Sequence, residues 1–253
     1  MKKSTFLVHE KPLLTCMVQA DDPRRIKELM ARAEGAEAFG MQFCRMKPEY
    51  RTEEVYRDLF TLASPLPTYV TNYRHTYNAG KSDEELGREL LTLAACGATL
   101  CDVMGDYFAP CAEEMTADAA AIRKQEELIG KLHQSGAEVL MSSHVKKFIP
   151  AERVLEIALE HQRRGADISK IVTGAATMAE QIENLRIITL LSENLKIPFL
   201  FLTGGKCHLS RRLGGTLGNC MSLCVVEHDA FSTPAQPLLC DMKILRDLLG
   251  TGS

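Results

Sequence analysis

One lysine in an apolar segment is the first candidate for chemistry. Lys170 lies in the sequence GADISKIVTG, where Ile168, Ile171 and Val172 indicate a buried strand. A lysine rarely enters an apolar interior unless it is paired or reactive. Burial disfavours the ammonium form, and the neutral amine can attack a ketone to form a Schiff base. The alternative is a lysine exposed at the end of its strand, with its charge in water.

His144 is the candidate acid or base for such a reaction. It ends EVLMSSH, the strand-like segment that precedes the segment of Lys170. A protonated imine acidifies the neighbouring carbon, and a histidine, with an ordinary pKa of about 6.5, suits removal of that proton. The same ring can then return the proton to a leaving hydroxide. Lys170 and His144 together predict elimination of water from a hydroxy-ketone, although a histidine that only satisfies hydrogen bonds is the alternative.

Two arginines follow other strand-like segments. Arg74 comes directly after PTYVTNY, and Arg211 lies in a predicted glycine-rich loop after PFLFLT. Guanidinium groups bind carboxylates and polarised hydroxyls through charge-assisted hydrogen bonds. The two residues are therefore candidates for holding an acidic substrate, and the alternative is that each forms a solvated ion pair at the surface.

The segments that carry these residues belong to a regular alternation of strands and helices. The periodicity predicts strands at 13–18, 38–43, 67–73, 99–104, 138–144, 168–172, 198–203 and 220–226, and helices at 23–34, 52–62, 83–96, 118–134, 151–164, 178–193 and 238–249. Eight such units predict a (β/α)8 TIM barrel, formed as one α/β domain over residues 1–253 with a short extension at about 1–12. A doubly wound open sheet is the alternative, but no GxGxxG follows the first strand.

The predicted barrel indicates where the active site lies. Active sites of such barrels lie at the carboxyl ends of the strands, where Arg74, His144, Lys170 and Arg211 are predicted. Strands 5 and 6 are barrel neighbours about 4.8 Å apart. We therefore expect His144 and Lys170 to share one pocket.

The overall composition argues against nucleic acid, a membrane or a metal as a binding partner. The net charge of −3 gives no broad basic field for nucleic acid or an anionic membrane. The longest apolar runs are shorter than the roughly 18 residues that a membrane span needs. Nine cysteines without a hydrophobic leader predict reduced thiols in a cytoplasmic protein. No metal site is predicted, because Cys220, Cys224 and His228 would align on a helix, whereas their segment is typical of a strand.

Four segments of the second half together resemble type I 3-dehydroquinate dehydratase. They are LMSSHVKKFIP (140–150), GADISKIV (165–172), SRRLGGTLGN (210–219) and STPAQP (232–237), and the likeness extends over about residues 12–249. The resemblance implies that Lys170 is the Schiff-base lysine and His144 the general acid/base. It also implies that Arg211 binds the substrate carboxylate, and that the further substrate contacts are Arg74, Ser232 and Gln236.

The resemblance also implies what the protein acts on. The substrate would be a small carboxylated ketone, 3-dehydroquinate, and the product 3-dehydroshikimate. The enzyme would be a cytoplasmic lyase without cofactor or metal, commonly a homodimer, in the shikimate pathway of aromatic amino acid biosynthesis. A catabolic pathway is the alternative.

The first half departs from the family pattern. A Glu-x-Arg pair after strand 2 is replaced by Gly40 and Gln42, a glutamate after Arg74 by Asn78, and the glutamate of an Asp-x-Glu segment by Met104. These losses leave two alternatives open. One is a Schiff-base lyase or aldolase of the same fold acting on a different carboxylated ketone. The other is a non-catalytic relative that binds a small acid or a protein.

The loop at 230–237 is predicted to close over bound substrate. It contains Ser232, Thr233 and two prolines. Such lids commonly exclude water from a site. An ordered connection between strand and helix is the alternative.

Overall fold

The computed structural model describes residues 4–206 and 208–249, and strands alternate with helices throughout. The strands are β1 Leu13–Met17, β2 Ala38–Gln42, β3 Thr68–Thr71, β4 Leu100–Met104, β5 Glu138–His144, β6 Ile168–Ala175, β7 Phe199–Gly205 and β8 Met221–Cys224. The helices are α1 Pro23–Arg32, α2 Glu53–Ala63, α3 Asp83–Cys96, α4 Ala119–Gln134, α5 Ala151–Arg163, α6 Met178–Asn194, α7 Ser210–Leu217 and α8 Leu239–Leu248. The predicted (β/α)8 TIM barrel is confirmed.

The sheet is a nearly closed ring of parallel strands. Its order is β7-β6-β5-β4-β3-β2-β1-β8, and no ladder joins β7 to β8 within the described residues. Asn219 spans this seam, since its amide nitrogen donates to the Phe201 carbonyl at 3.0 Å and its oxygen accepts from the Phe201 N–H at 2.8 Å. The Cys220 N–H adds a bond of 2.9 Å to the Phe199 carbonyl. One side chain thus satisfies backbone groups that a ladder would otherwise pair.

The N-terminal extension closes one end of the barrel. Phe6 is 1% exposed and packs with the apolar residues of the barrel interior. Its N–H donates to Glu138 Oε2 at 2.9 Å, at the start of β5. With Phe6 filling this end, the interior of the barrel is accessible from the carboxyl ends of the strands. Within the described residues, no helix combines the length and the apolarity needed to cross a membrane.

Helix starts follow the local sequence. Ser82 caps α3 and forms a capping box with Glu85, so that two backbone N–H groups are satisfied reciprocally. Thr52 caps α2 in the same position relative to the helix, and its hydroxyl accepts from the Val55 N–H. The predicted bounds of α3 and of β5 are matched at both ends.

The prediction of a glycine-rich loop after β7 is wrong, because SRRLGGTL forms helix α7. Its two glycines oppose helix formation by up to roughly 1 kcal/mol each. Tertiary contact outweighs this: a Cβ on Gly214 would overlap the amide of Asn219, the residue that closes the seam. Arg211 therefore lies in the first turn of a helix.

Strand β6 is also longer than predicted. It continues to Ala175, and Lys170 is the third of its eight residues. Lys170 therefore lies well inside the barrel. The prediction that placed it toward the end of its strand is wrong. Its neighbour across the ladder is Ser142 of β5, while His144 pairs with Val172.

Candidate active site

A cavity of about 640 Å³ opens at the carboxyl ends of the strands. Its lining includes five of the six predicted site residues, namely Lys170, His144, Arg74, Arg211 and Gln236. Ser232 is not in that lining. The expectation that His144 and Lys170 share a pocket agrees with this arrangement.

Lys170 is buried at the base of the cavity and fully hydrogen-bonded. The residue is 4% exposed. Its Nζ donates to Tyr73 Oη at 2.6 Å, to Tyr69 Oη at 3.0 Å and to Asp102 Oδ2 at 3.2 Å. These three bonds match the three hydrogens of an ammonium group. The alternative of a solvated lysine at the strand end is therefore wrong.

Asp102 is the counter-ion of this buried amine. It accepts from both tyrosine hydroxyls and from Ser142 Oγ at 2.5 Å. Burial alone would raise the pKa of Asp102, but the charges of Lys170 and His144 together with the hydroxyl bonds hold it below its ordinary value. Burial and the Asp102 charge raise the pKa of Tyr69 and of Tyr73 well above the usual range. An ionised carboxylate is thus surrounded by neutral phenols that donate to it.

His144 is oriented by Glu114 from the loop between β4 and α4. Glu114 Oε2 accepts from His144 Nδ1 at 2.7 Å and from the His144 N–H at 3.0 Å. Because a carboxylate only accepts, Nδ1 carries the hydrogen and Nε2 is left for the cavity. Burial raises the pKa of Glu114, but the bonds and charge of His144 outweigh this and lower it below its ordinary value.

The backbone around Glu114 is built for this contact. Glu114 has φ +47°, a left-handed conformation that side chains other than glycine rarely adopt. Its carbonyl accepts from Ser143 Oγ at 2.7 Å. A Cβ on Gly105 would come within 2.5 Å of the same carbonyl oxygen, so glycine is required there. A strained residue held by several contacts at a site suggests a constrained functional position.

Glu114→Gln is expected to reduce kcat/KM by about 10- to 100-fold, the usual effect of removing an orienting partner. The amide oxygen still accepts from Nδ1, but the negative charge beside the imidazole is gone. Glu113→Gln is the matched control, since Glu113 binds Arg153 instead. Unchanged kcat/KM in the Glu114 variant would contradict the orienting role.

Arg211 is a partly buried cation that has no carboxylate partner within the described residues. Its Nε donates to the Thr203 carbonyl at 2.6 Å. Within the described residues no carboxylate lies at ion-pair distance from it, and burial lowers its pKa to about 10. Burial of an uncompensated charge is costly. An anionic ligand in the cavity would remove this cost.

Arg74 is in the opposite situation. It forms salt bridges with Asp83 at 2.7 Å and with Asp106 at 2.7 Å. Burial lowers the pKa of Arg74, but its bonds to these two carboxylates more than offset the effect and raise it. Its charge is already neutralised by protein groups, and its assignment as a substrate ligand stays a prediction.

The loop after β8 brings Gln236 and Thr233 to the cavity. Gln236 is buried, and its Oε1 accepts from the Thr233 N–H at 2.8 Å. Ser232 Oγ is instead engaged with Asp229, from whose N–H it accepts at 2.9 Å. The substrate contact at Ser232 and the lid at 230–237 stay predictions.

The departures from the family pattern have local structural reasons. Asn78 is fully buried, and its amide donates to Asn72 Oδ1 at 2.8 Å and to the Tyr73 carbonyl at 2.9 Å. Asn78 thus stabilises its own loop. At Gly40 any Cβ would overlap Met17 Sδ, so a larger residue there requires Met17 to move.

A cation nevertheless reaches the cavity after β2. Arg45 lies three residues beyond Gln42, and its Nε donates to Gln42 Oε1 at 2.6 Å. Both residues line the cavity, together with Gln19. This polar wall faces the same space as Lys170.

Sequence reasoning missed five residues of this cavity lining that the site uses: Tyr69, Tyr73, Glu114, Arg45 and Gln19. The tyrosines carried a usable signal, because residues two and four apart in PTYVTNY share one face of a strand. Glu114 carried none, since a long loop brings it to His144.

A family model described as type I 3-dehydroquinase matches residues 43–252. The chain belongs to the type I 3-dehydroquinase family. The resemblance stated from the sequence is confirmed, and membership makes the chain a lyase of the dehydratase kind. No curated protein sequence matches the chain.

Solved dehydroquinases share the fold at low identity. The 3-dehydroquinate dehydratase of Geobacillus kaustophilus is 15% identical with a TM-score of 0.83, over 99% of this chain and 96% of that one. The type I enzyme of Clostridium difficile, solved with covalent modified comenic acid, is 14% identical with a TM-score of 0.79, over 98% and 96%. At such identities the likeness concerns the barrel alone.

Proposed function

We propose that this dehydroquinase converts 3-dehydroquinate to 3-dehydroshikimate through an imine on Lys170. The observation that carries the proposal is that a buried lysine and an uncompensated arginine, Arg211, line one cavity. A carbonyl that meets the amine and a carboxylate that meets the guanidinium are the two groups of a keto acid. The covalent adduct described for the Clostridium difficile enzyme supports covalent chemistry in such a site.

The geometry supports the following steps. The substrate carboxylate binds Arg211, and the carbonyl reacts with Lys170 to give an iminium paired with Asp102. The iminium withdraws electrons from the adjacent carbon, and His144 Nε2 removes its proton. The same ring then donates that proton to the departing hydroxyl, so that water leaves. Hydrolysis of the resulting iminium breaks the C=N bond, releases the product and restores the Lys170 amine.

Ring hydroxyls of the substrate would bind the wall formed by Gln19, Gln42 and Arg45. Hydrogen bonds to a charged group contribute about 1.5–3 kcal/mol each, enough to select a hydroxylated ring. Arg45 would thereby supply a cation that the replaced Glu-x-Arg pair no longer offers.

A second candidate is the same chemistry on a different carboxylated ketone. It is favoured by Gly40, where Met17 fills the space a glutamate would need. The lysine, histidine and arginine would keep their roles, and the ring contacts would differ. For either substrate we propose a cytoplasmic homodimer without cofactor. With 3-dehydroquinate as its substrate, the enzyme would act in the shikimate pathway.

Reductive trapping tests the proposal. The protein is incubated with 3-dehydroquinate and borohydride, and its intact mass and adduct-bearing peptide are determined. We expect one reduced adduct on Lys170, and dehydroshikimate absorbance in unreduced samples. An adduct without product would favour the second candidate. If neither an adduct nor the product forms, the result would favour a non-catalytic binding protein and contradict the proposal.

A further inference from the structure

Two tyrosine hydroxyls contact the amine of Lys170, but their surroundings differ. Tyr69 is completely buried, whereas Tyr73 is 8% exposed. The Tyr73 ring also packs edge-on against His144, with the ring centroids 5.2 Å apart. Tyr73 therefore lies between the amine and the histidine.

Tyr73 also offers the shortest link between Lys170 and its counter-ion. Tyr73 Oη lies 2.6 Å from Lys170 Nζ and 2.6 Å from Asp102 Oδ2. The direct distance from Nζ to that oxygen is 3.2 Å. The Tyr69 hydroxyl is 2.5 Å from the same oxygen but 3.0 Å from Nζ, so the two tyrosine links differ at the amine. The usual distance is about 2.9 Å for N–H···O and about 2.7–2.8 Å for O–H···O, so the Lys170–Tyr73 bond is clearly short, the Tyr73–Asp102 bond is slightly short, and the direct Lys170–Asp102 bond is long. Proton transfer between amine and carboxylate is therefore favoured through Tyr73.

We infer that Tyr73 relays protons among Lys170, Asp102 and the substrate oxygen while the imine forms. This inference rests on the proposed function. The ammonium passes a proton to Tyr73 as Tyr73 passes its own to Asp102, which leaves a neutral amine and a protonated carboxyl. The nitrogen lone pair attacks the carbonyl carbon, and the C=O π electrons move to oxygen. The extra proton on nitrogen then moves through Tyr73 to that oxygen and gives a neutral carbinolamine.

Loss of water completes the sequence. Asp102 returns its proton through Tyr73 to the carbinolamine hydroxyl, the C–O bond breaks, and the nitrogen lone pair forms the C=N bond. The iminium then pairs with the Asp102 carboxylate as the ammonium did, so the buried charges balance before and after. Because the pKa of Tyr73 is raised by burial and by Asp102, the phenol exchanges protons without accumulating as phenolate.

The test compares Tyr73→Phe with Tyr69→Phe, because each variant removes one hydroxyl from Lys170 and one donor from Asp102. Each protein is mixed with 3-dehydroquinate, reduced with borohydride at increasing times and weighed intact. We expect Tyr73→Phe to form the adduct about 10²-fold more slowly, as for loss of general acid–base catalysis. Tyr69→Phe should slow adduct formation by no more than about tenfold, because it removes hydrogen bonds from the ion pair but keeps the link through Tyr73.

A second readout separates catalysis from support of the fold. With substrate deuterated beside the carbonyl, wild type should show a primary isotope effect on turnover. Tyr73→Phe should suppress it, because imine formation becomes slower than proton abstraction. Equal adduct rates in the two variants overturn the relay. An absent wild-type adduct overturns the proposed function instead, and the relay with it.

The wild-type protein gives an independent check if Tyr73→Phe does not fold. The rate of adduct formation is measured in mixtures of H₂O and D₂O. Two protons in flight predict a bowed dependence on the deuterium fraction. A linear dependence indicates one proton and contradicts the relay.

Discussion

Lys170→Met is expected to abolish both the borohydride adduct and turnover, with kcat falling by at least about 10⁴-fold, as when an enzyme loses its nucleophile. Methionine keeps the length and volume of the side chain but has no amine to attack a carbonyl. The measurement is intact mass together with dehydroshikimate formation. A persisting mass shift would place the imine on another lysine, and Lys146 at the cavity lining is the first to inspect.

The same variant has a stability consequence that identifies the ion pair. Without Lys170, Asp102 is a buried carboxylate without its cation, which typically costs about 3–5 kcal/mol. Lys170→Met/Asp102→Asn should recover most of that loss and yet form no adduct. If the double variant is as unstable as the single one, the lost stability comes from packing rather than from charge.

The pH dependence of that loss has a definite sign. In wild type the folded pKa of Asp102 is lowered, so its stabilisation is present above the ordinary carboxyl pKa of about 3.9 and is lost as pH falls. Without Lys170 the buried carboxyl prefers its neutral form, and its folded pKa is expected to lie above the ordinary value. The difference in unfolding free energy between wild type and Lys170→Met is thus largest near pH 7 and shrinks toward pH 4. Urea unfolding at the two pH values measures it.

The fold was largely predictable because its signals are local. Strands and helices alternate, and polar caps such as Ser82 mark helix starts, so the bounds of α3 and β5 are those expected. Helix α7 escaped prediction because its two glycines argue against a helix. The helix is favoured instead by its packing against Asn219, the residue whose side chain closes the seam between β7 and β8.

The site was predictable only where one residue type announces a chemistry. A lysine within an apolar strand and a histidine ending the preceding strand were sufficient to bring Lys170 and His144 together. What surrounds them depends on tertiary structure: Glu114 reaches His144 across 30 residues of chain. The salt bridges of Arg74 were not predictable either, because nothing in its own segment indicates that Asp83 and Asp106 bind its guanidinium group.

His144→Ala is expected to slow turnover by about 10²–10⁴-fold while the imine on Lys170 still forms, because the histidine is proposed to act after that step. Borohydride should therefore trap at least as much adduct in this variant as in wild type. The opposite pattern, with adduct and turnover lost together, would mean that His144 is needed to form the imine and would reassign its role.

His75→Ala is the matched control, because the cavity has a second histidine at its rim. His75 lies 5.7 Å from the Tyr73 ring, centroid to centroid, and its Nδ1 is hydrogen-bonded to Thr76 Oγ1 at 2.8 Å. Burial and the neighbouring Arg45 lower its pKa, so at neutral pH it is an uncharged ring. Within the described part of the chain no carboxylate is hydrogen-bonded to it. We expect His75→Ala to keep turnover within about tenfold of wild type, as for loss of one hydrogen bond. If it instead matches His144→Ala, orientation by Glu114 is not what selects the catalytic ring.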